Sequence, residues 1–162
     1  MGLVYVISDL HLGHKNMATR WRNFNDEYEQ DAHIVKQWNE VVNKKDVVWI
    51  LGDLTMESSK HYYVLDQLKG IKKVILGNHE KPSHIQELLK YVNCVRGTMK
   101  YKGAWFSHIP MHPVELHDKV NIHGHVHQHS LKDKRYINVS AEVVNYRPQL
   151  IDKLLGLNKD KW

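Results

Sequence analysis

Short motifs rich in histidine and aspartate recur along the chain, which contains 13 histidines among its 162 residues. Imidazole and carboxylate groups are the side chains that bind transition-metal ions and transfer protons in proteins. A single motif of this kind is more often a helix cap or a histidine at the edge of a core. Five of them in one short chain reverse that preference and indicate a metal site. In chain order they are Asp9-Leu10-His11, Gly52-Asp53, Gly77-Asn78-His79-Glu80, the single His108, and Gly124-His125-Val126-His127.

Each motif closely follows an apolar run that is typical of a buried strand. In open α/β sheets, ligands bind at the carboxyl ends of the strands, so polar groups placed there converge on one crevice. In an extended chain, residues i and i+2 point to the same side. Asp9 and His11 can therefore address one metal centre, and so can His125 and His127. The apolar runs are Leu3–Ile7, Val47–Leu51, Val74–Leu76, Ala104–Ser107 and Val120–Ile122.

Strands and helices alternate in the first half of the chain, whereas the second half is mostly strand. A helix is predicted with Asn25 as its N-cap, because the acidic residues that follow suit the positive end of a helix. The βαβα pattern followed by strands predicts two sheets packed face to face with helices outside. Other predicted elements are a helix from about Ser59 to Lys69, a helix opened by Pro82–Ser83, a hairpin of Thr98–Tyr101 with Ala104–Ser107, a strand Tyr136–Ser140, and a short strand or helix at 149–155.

The composition is that of an ordinary globular protein, and its length predicts one domain spanning residues 1–162. No apolar run approaches the roughly 18 residues of a membrane span, so no membrane association is expected. Cys94 is the only cysteine, which fits a reducing compartment, and we expect a cytoplasmic protein. The net charge of +5 is spread over the sequence, which favours solvated surface lysines over a nucleic-acid groove.

The ordered set of motifs resembles the calcineurin-like metallophosphoesterase superfamily, and in particular its small single-domain members from bacteria and their viruses. That pattern is Asp-x-His, Gly-Asp, Gly-Asn-His followed by Asp or Glu, a lone His, and Gly-His-x-His. The resemblance extends from residue 3 to about residue 140, which is nearly the whole chain. It implies an α/β fold, a four-layer α/β/β/α sandwich of two mixed sheets with two metals at one edge.

The resemblance also implies a ligand set for two divalent transition-metal ions. Mn²⁺ is the first expectation, and Fe, Zn²⁺, Ni or Co ions also suit this mixture of imidazole, carboxylate and amide donors. A water activated by both metals is expected to attack the phosphorus. The first metal is assigned Asp9, His11 and His127, the second Asn78, His108 and His125, and Asp53 bridges both.

Two residues of the third motif are expected to be catalytic on the same resemblance. His79 follows the ligand Asn78 and is expected to protonate the leaving group, while Glu80 is expected to orient the His79 ring. For Trp21, packing at an edge of the core is preferred over stacking on a base. Four residues near the motifs are further candidates for contact with a ligand side chain or the substrate, with an ordinary surface role as the alternative: His14, Arg20, His112 and His123.

Three functions remain open from the sequence. The first is hydrolysis of a small phosphomonoester or phosphodiester. The second is a nuclease acting on DNA or RNA with the same metal site, although no concentrated basic face is recognisable. The third is a non-catalytic protein-interaction scaffold, against which the complete set of seven ligand positions argues. The natural substrate and the oligomeric state are left open.

Overall fold

The computed structural model describes residues 2–157, which form two mixed β-sheets with helices. The strands of the first sheet are β1 (Val4–Ile7), β2 (Val47–Ile50), β3 (Ile71–Ile75), β4 (Cys94–Arg96) and β9 (Gln149–Leu150). They lie in the order β4-β3-β2-β1-β9, and all pairings are parallel except that of β1 with β9. The parallel strands therefore end at one common edge of the sheet.

The second sheet has four strands in the order β5-β6-β7-β8. These are β5 (Met99–Tyr101), β6 (Ala104–Phe106), β7 (Val120–His123) and β8 (Tyr136–Asn138). The predicted hairpin is present as the antiparallel pair β5 and β6, and the other two pairings are parallel. β6, β7 and β8 thus also send their carboxyl ends to one edge.

Within residues 2–157 there are four α-helices, of which the first three connect strands and the last follows β9: α1 (Glu27–Val41), α2 (Ile85–Leu88), α3 (Pro113–Leu116) and α4 (Ile151–Leu154). A π-helix covers Met17–Trp21, and 3-10 helices cover Tyr62–Gln67 and Pro82–His84. The helix predicted from about Ser59 to Lys69 is thus a shorter 3-10 helix, and the segment 149–155 contains both a short strand and a short helix. Between residues 2 and 157, no helix is long and apolar enough to cross a membrane.

Helix α1 begins one residue later than predicted, because Asp26 and not Asn25 is its N-cap. The Asp26 side chain accepts a hydrogen bond of 2.8 Å from the backbone N–H of Glu29. The Glu29 carboxylate reaches back and accepts a bond of 2.7 Å from the backbone N–H of Asn25. This reciprocal arrangement is a variant of the capping box, and it satisfies donors at the helix start.

Two hydrophobic clusters hold the layers together, and alternating residues of β1 belong to different clusters. Tyr5 and Ile7 pack with α1 on the helical side of the first sheet, whereas Val6 packs against the second sheet. This alternation follows from the two-residue period of a strand. The α/β fold of two mixed sheets is confirmed. The helical layer beside the second sheet is short and consists of α3 and the loop before it. The Asn121 side chain of β7 attaches this loop to the sheet by accepting a hydrogen bond from the backbone N–H of Met111.

The two sheets are joined by hydrogen bonds just beyond the carboxyl end of β1. The backbone N–H of Ser8 donates to the carbonyl of Val139 at 2.9 Å, and the N–H of Ala141 donates to the carbonyl of Ser8 at 2.9 Å. This link brings the carboxyl ends of strands from both sheets to the same edge of the molecule. Any polar side chain placed directly after these strands therefore lies near that edge.

Candidate metal centre

The residues of the five motifs lie together at this shared edge and form two groups of possible metal ligands. In each group, one donor atom from every residue lies within 4.8 Å of the others. The first group comes from the loops after β1 and β7, and the second from the loops after β2, β6 and β7. The groups are Asp9, His11 and His127, and Asp53, His108 and His125.

Asp53 belongs to the second group and also lies close to the first group. Its Oδ2 atom is 3.8 Å from His11 Nε2 in the first group and 3.3 Å from His108 Nε2 in the second. His108 Nε2 also lies 2.9 Å from Asn78 Oδ1 and 3.2 Å from His125 Nδ1. The structure therefore brings together all seven residues that the sequence assigned to two metals, with Asp53 at the shared position.

The donors fit metal ions by their burial and hydrogen bonding. His11 is 2% exposed, and neither of its ring nitrogens has a hydrogen-bond partner within residues 2–157. Burial, with Arg22 as the next cause, lowers the pKa of His11 to about 3, so the ring is neutral at physiological pH. A buried polar atom without a partner is costly, whereas a neutral imidazole nitrogen is a good metal ligand. This orphaned ring is accounted for if it binds a cation.

The backbone at the site is held in a conformation that side chains other than glycine rarely adopt. Five of the seven candidate ligands have a positive φ, a left-handed conformation. Such residues carry a conformational cost and persist where the surrounding structure enforces them, which is common at functional sites. Here the backbone N–H of His11 donates to the carbonyl of Asp53 at 3.0 Å, which ties two of these turns together. The five residues are Asp9, His11, Asp53, His125 and His127.

Two glycines of the motifs allow the ligand loops to approach each other closely. A Cβ atom at Gly124 would lie 2.2 Å from Asp9 Oδ2, and one at Gly77 would lie 2.4 Å from Asp53 Oδ1. Both distances are too short for non-bonded atoms. The absence of a side chain at Gly77 therefore makes room for the Asp53 carboxylate.

A partly buried chain of charged residues contacts the side of the His127 ring that carries Nδ1, and the sequence contained no indication of it. Glu142 Oε1 lies 2.6 Å from His127 Nδ1, and Glu142 Oε2 accepts a hydrogen bond of 2.8 Å from Arg22. Arg22 also donates to the backbone carbonyls of Asp9 and Leu10. Because Nδ1 of His127 is engaged by Glu142, Nε2 is the nitrogen left for a metal, an arrangement typical of metal-binding histidines.

These contacts determine the charge of the groups around His127. The hydrogen bond to Glu142 is the largest cause that raises the pKa of His127. Burial favours a higher pKa for Glu142, but the His127 contact and the Arg22 charge outweigh burial and lower that pKa to about 2. Glu142 is therefore ionised and holds the proton on Nδ1 of His127.

His108 and Asp53 form a similar pair in the second group. Burial opposes charge on both side chains. The hydrogen bond and charge of Asp53 outweigh burial and raise the pKa of His108, and the same contact lowers the pKa of Asp53. The Nδ1 atom of His108 lies 2.7 Å from the carbonyl of Leu51, which fixes the ring orientation and leaves Nε2 facing Asp53.

The expected pairing of Glu80 with His79 is absent, and this expectation was wrong. The Glu80 carboxylate instead accepts hydrogen bonds from the backbone N–H groups of Gly77, Asp53 and Leu54, at 2.6, 3.0 and 2.9 Å. Glu80 is 8% exposed, and these three donors satisfy its buried oxygens. Glu80 therefore joins the second and third ligand loops.

His79 lies at the mouth of the site, next to different acidic groups from the one expected. Its Nε2 atom is 3.8 Å from Asp53 Oδ2, and its Nδ1 atom is 3.8 Å from Glu57 Oε1. Glu57 also forms an ion pair of 2.9 Å with Lys81. The His79 side chain is 21% exposed, so it faces both the candidate metal groups and solvent. This position suits the expected transfer of a proton to a leaving group.

The four additional candidates separate into one residue near the ligands and three away from them. The His14 ring centroid lies 5.8 Å from that of His11. His112 is exposed and caps α3 by accepting from the N–H of Val114. His123 is buried, and its ring contacts Tyr136 on the outer face of the second sheet. Arg20 is exposed on the π-helix, whereas its neighbour Arg22 contacts the ligand loop.

Comparison with known proteins gives the same family as the motifs. Residues 2–162 match the family described as calcineurin-like phosphoesterase. An uncharacterised protein of Methanocaldococcus jannaschii is 33% identical over 169 residues, which cover 97% of this chain and 92% of that relative. The Gene 66 protein of Mycobacterium phage L5 is 42% identical over 87 residues, which cover 51% of this chain and 42% of that protein.

A crystal structure of a protein of unknown function from Aquifex aeolicus has the same fold. The TM-score is 0.73 at 24% identity, and the match covers 97% of this chain and 100% of that one. The ordered motifs, their convergence at one edge and the match over residues 2–162 agree, and the expected family is confirmed. The chain belongs to the calcineurin-like phosphoesterase family.

Proposed function

We propose that this protein hydrolyses small phosphate esters with the help of two divalent transition-metal ions. The single observation that supports this proposal most is the position of Asp53, whose Oδ2 atom lies within 3.8 Å of a histidine from each candidate group. A carboxylate shared by two groups suits a pair of cations. A closed structural zinc site instead favours four cysteine or histidine ligands around one ion.

The chain would hold one ion with Asp9, His11 and His127 and the other with Asn78, His108 and His125, with Asp53 between them. When bound, a pair of such ions supplies Lewis-acid chemistry that stabilises charge on a phosphoryl group and lowers the pKa of a water. Manganese is our first candidate, because mixed imidazole, carboxylate and amide donors suit it.

The remaining chemistry falls to His79. Its partly exposed ring is placed beside Asp53 and can present a proton to the oxygen of a departing alcohol. Asp53 and Glu57 each have a carboxylate oxygen 3.8 Å from a ring nitrogen of His79, so the ring lies between two acidic side chains. General acid catalysis of this kind contributes about 10²- to 10⁴-fold to a rate.

The test is hydrolysis of p-nitrophenyl phosphate and bis-p-nitrophenyl phosphate by metal-stripped protein, with Mn²⁺, Zn²⁺, Ni²⁺ or Mg²⁺ added back singly. We expect turnover to return with at least one ion and to be lost in Asp53→Asn together with metal content. Asp118→Asn is the matched control, because that side chain is 83% exposed and its one ion pair within residues 2–157 is with Lys119. Two bound ions without turnover of either ester would contradict the proposal.

A further inference from the structure

A cavity of about 360 Å³ adjoins the candidate metal centre. His125 and His127 form the wall nearest the metals, and Met17, Trp21 and Val126 supply an apolar surface. Its volume lies in the range of pockets that bind small organic molecules, about 300 to 1,000 Å³. A phosphate held at the metals would therefore have its organic part next to this cavity.

Trp21 is unusual among the tryptophans that the structure describes. It is 73% exposed, whereas Trp38 and Trp49 are 0% and 4% exposed. The indole makes no ring contact with any of residues 2–157, so the expected packing at a core edge is not observed. A large flat apolar group left in solvent beside a pocket is a common feature of binding sites.

The neighbouring residue anchors the backbone at Trp21. Arg22 directly follows Trp21, and its guanidinium is 1% exposed and bonded to Glu142 and to the carbonyls of Asp9 and Leu10. Trp21 is the last residue of the π-helix, an uncommon conformation that is often found at functional sites. The backbone at Trp21 is therefore anchored to the same loop that carries the ligands Asp9 and His11.

We propose that this cavity binds the nucleobase of a nucleotide substrate, with the base stacked on Trp21 and the phosphate at the metal centre. The proposal rests on the phosphoesterase function proposed above and names its substrate class. Every base has a flat π-face, and stacking on an aromatic side chain does not depend on base identity. Met17 and Val126 supply further apolar contact for the ring.

The polar residues of the cavity favour a nucleobase over a plain aromatic ring. Gln128 and His129 line the cavity, and their side chains make no hydrogen bond within the described part of the chain. An amide and an imidazole can both donate and accept, which matches the mixed donors and acceptors along the edge of a base. The ring of a phosphotyrosine has no such edge and leaves these two groups unused.

Binding to metal-stripped protein tests the base pocket without catalysis. We would compare adenosine 5′-monophosphate, ribose 5-phosphate and phosphotyrosine by calorimetry on the wild type, Trp21→Phe and Trp21→Ala. We expect adenosine 5′-monophosphate to bind most tightly, with affinity lowered about 5- to 150-fold in Trp21→Ala and largely kept in Trp21→Phe. Tyr28→Ala is the control, because Tyr28 is 62% exposed but lies outside this cavity.

Kinetics of the metal-loaded protein separate this proposal from the general function. Thymidine 5′-p-nitrophenyl phosphate and methyl p-nitrophenyl phosphate share a leaving group and differ only in the retained group. We expect a higher kcat/KM for the thymidine ester, and we expect this preference to disappear in Trp21→Ala.

Each outcome has a distinct meaning. Turnover of both esters with equal kcat/KM overturns the base pocket and leaves the phosphoesterase function standing, whereas no turnover of these two diesters or of p-nitrophenyl phosphate contradicts that function. Two binding results also overturn the base pocket. In the first, ribose 5-phosphate or phosphotyrosine binds as tightly as adenosine 5′-monophosphate. In the second, adenosine 5′-monophosphate binds to Trp21→Ala as tightly as to the wild type.

Discussion

Replacing Glu142 with Gln would test whether the charged chain behind His127 determines how the first candidate metal is held. The substitution keeps the size and an acceptor oxygen but removes the negative charge. In the native chain, Glu142 receives hydrogen bonds from Arg22 at 2.8 Å and from His127 at 2.6 Å. The side-chain amide of the Glu142→Gln variant has one oxygen, which can accept from one of these partners. Its nitrogen is a donor and cannot accept from the other partner.

The expected loss follows from these contacts. A hydrogen bond to a charged group contributes about 1.5–3 kcal/mol, so losing one of two should lower the free energy of unfolding by about that amount. The Arg22 side chain is 1% exposed and keeps its bonds to two backbone carbonyls, which limits the cost of leaving its charge without a carboxylate. Removing a carboxylate that supports a metal-binding histidine typically weakens metal affinity about 10- to 100-fold.

The assay is metal titration of stripped protein by calorimetry, with urea unfolding of the same samples. Glu87→Gln is the matched control, because it breaks the exposed pair of Glu87 with Lys90, the one ion pair of Glu87 in the described part of the chain, and should change stability by less than about 1 kcal/mol. If Glu142→Gln binds metal as tightly as the wild type and unfolds at the same urea concentration, the proposed support of His127 is refuted.

Two further predictions concern His79 and His11. His79→Ala should keep both metals and lose about 10²- to 10⁴-fold in turnover of an ester with a poor leaving group. The loss should be much smaller for p-nitrophenyl phosphate, because a good leaving group needs no proton. Equal losses for the two esters would exclude the proton-donor role. In the metal-free protein, the pKa of His11 is about 3 in the folded chain, against the ordinary histidine value of 6.5 in an unfolded chain. The unfolded chain therefore binds the additional proton, so the contribution of His11 to the free energy of unfolding is complete near and above pH 6.5 and falls as pH drops toward 3, by up to about 1.4 kcal/mol per pH unit. The raised pKa values of His108 and His127 act in the opposite direction, so the comparison with His11→Gln isolates the His11 contribution. Urea unfolding across this range should show a shallower fall in His11→Gln, and an unchanged slope would contradict the assignment. The pKa of Glu142 contributes in the same direction only below pH 4.5.

The sequence predicted which residues the structure brings together at the candidate metal centre, because these residues follow short apolar runs. A run such as Val47–Leu51 has to be a buried strand, and parallel strands send their carboxyl ends to one edge. The order of the motifs then places Asp53 and Asn78 beside Asp9 without knowledge of any side-chain contact. The same reasoning located the two sheets, while the lengths of the short helices depended on packing and were predicted less accurately.

The partners of the ligands could not be predicted in the same way. Glu142 and Arg22 are 120 residues apart in the sequence, and neither belongs to a motif. Glu80 adjoins His79 in the chain, but its carboxylate turns to three backbone N–H groups because burial makes those donors necessary. Local sequence contains no signal for either outcome.

The amino-acid sequence by itself therefore determined the family, the class of fold and the seven candidate metal ligands, because strand patterns and motif order are local properties of the chain. Only the tertiary structure decided which acidic residues support those ligands, that Glu57 and not Glu80 lies beside His79, and that the Trp21 indole is exposed beside the candidate metal centre. These features depend on how distant loops meet, and the burial of polar groups at that meeting point selects the hydrogen-bond partner that each side chain takes.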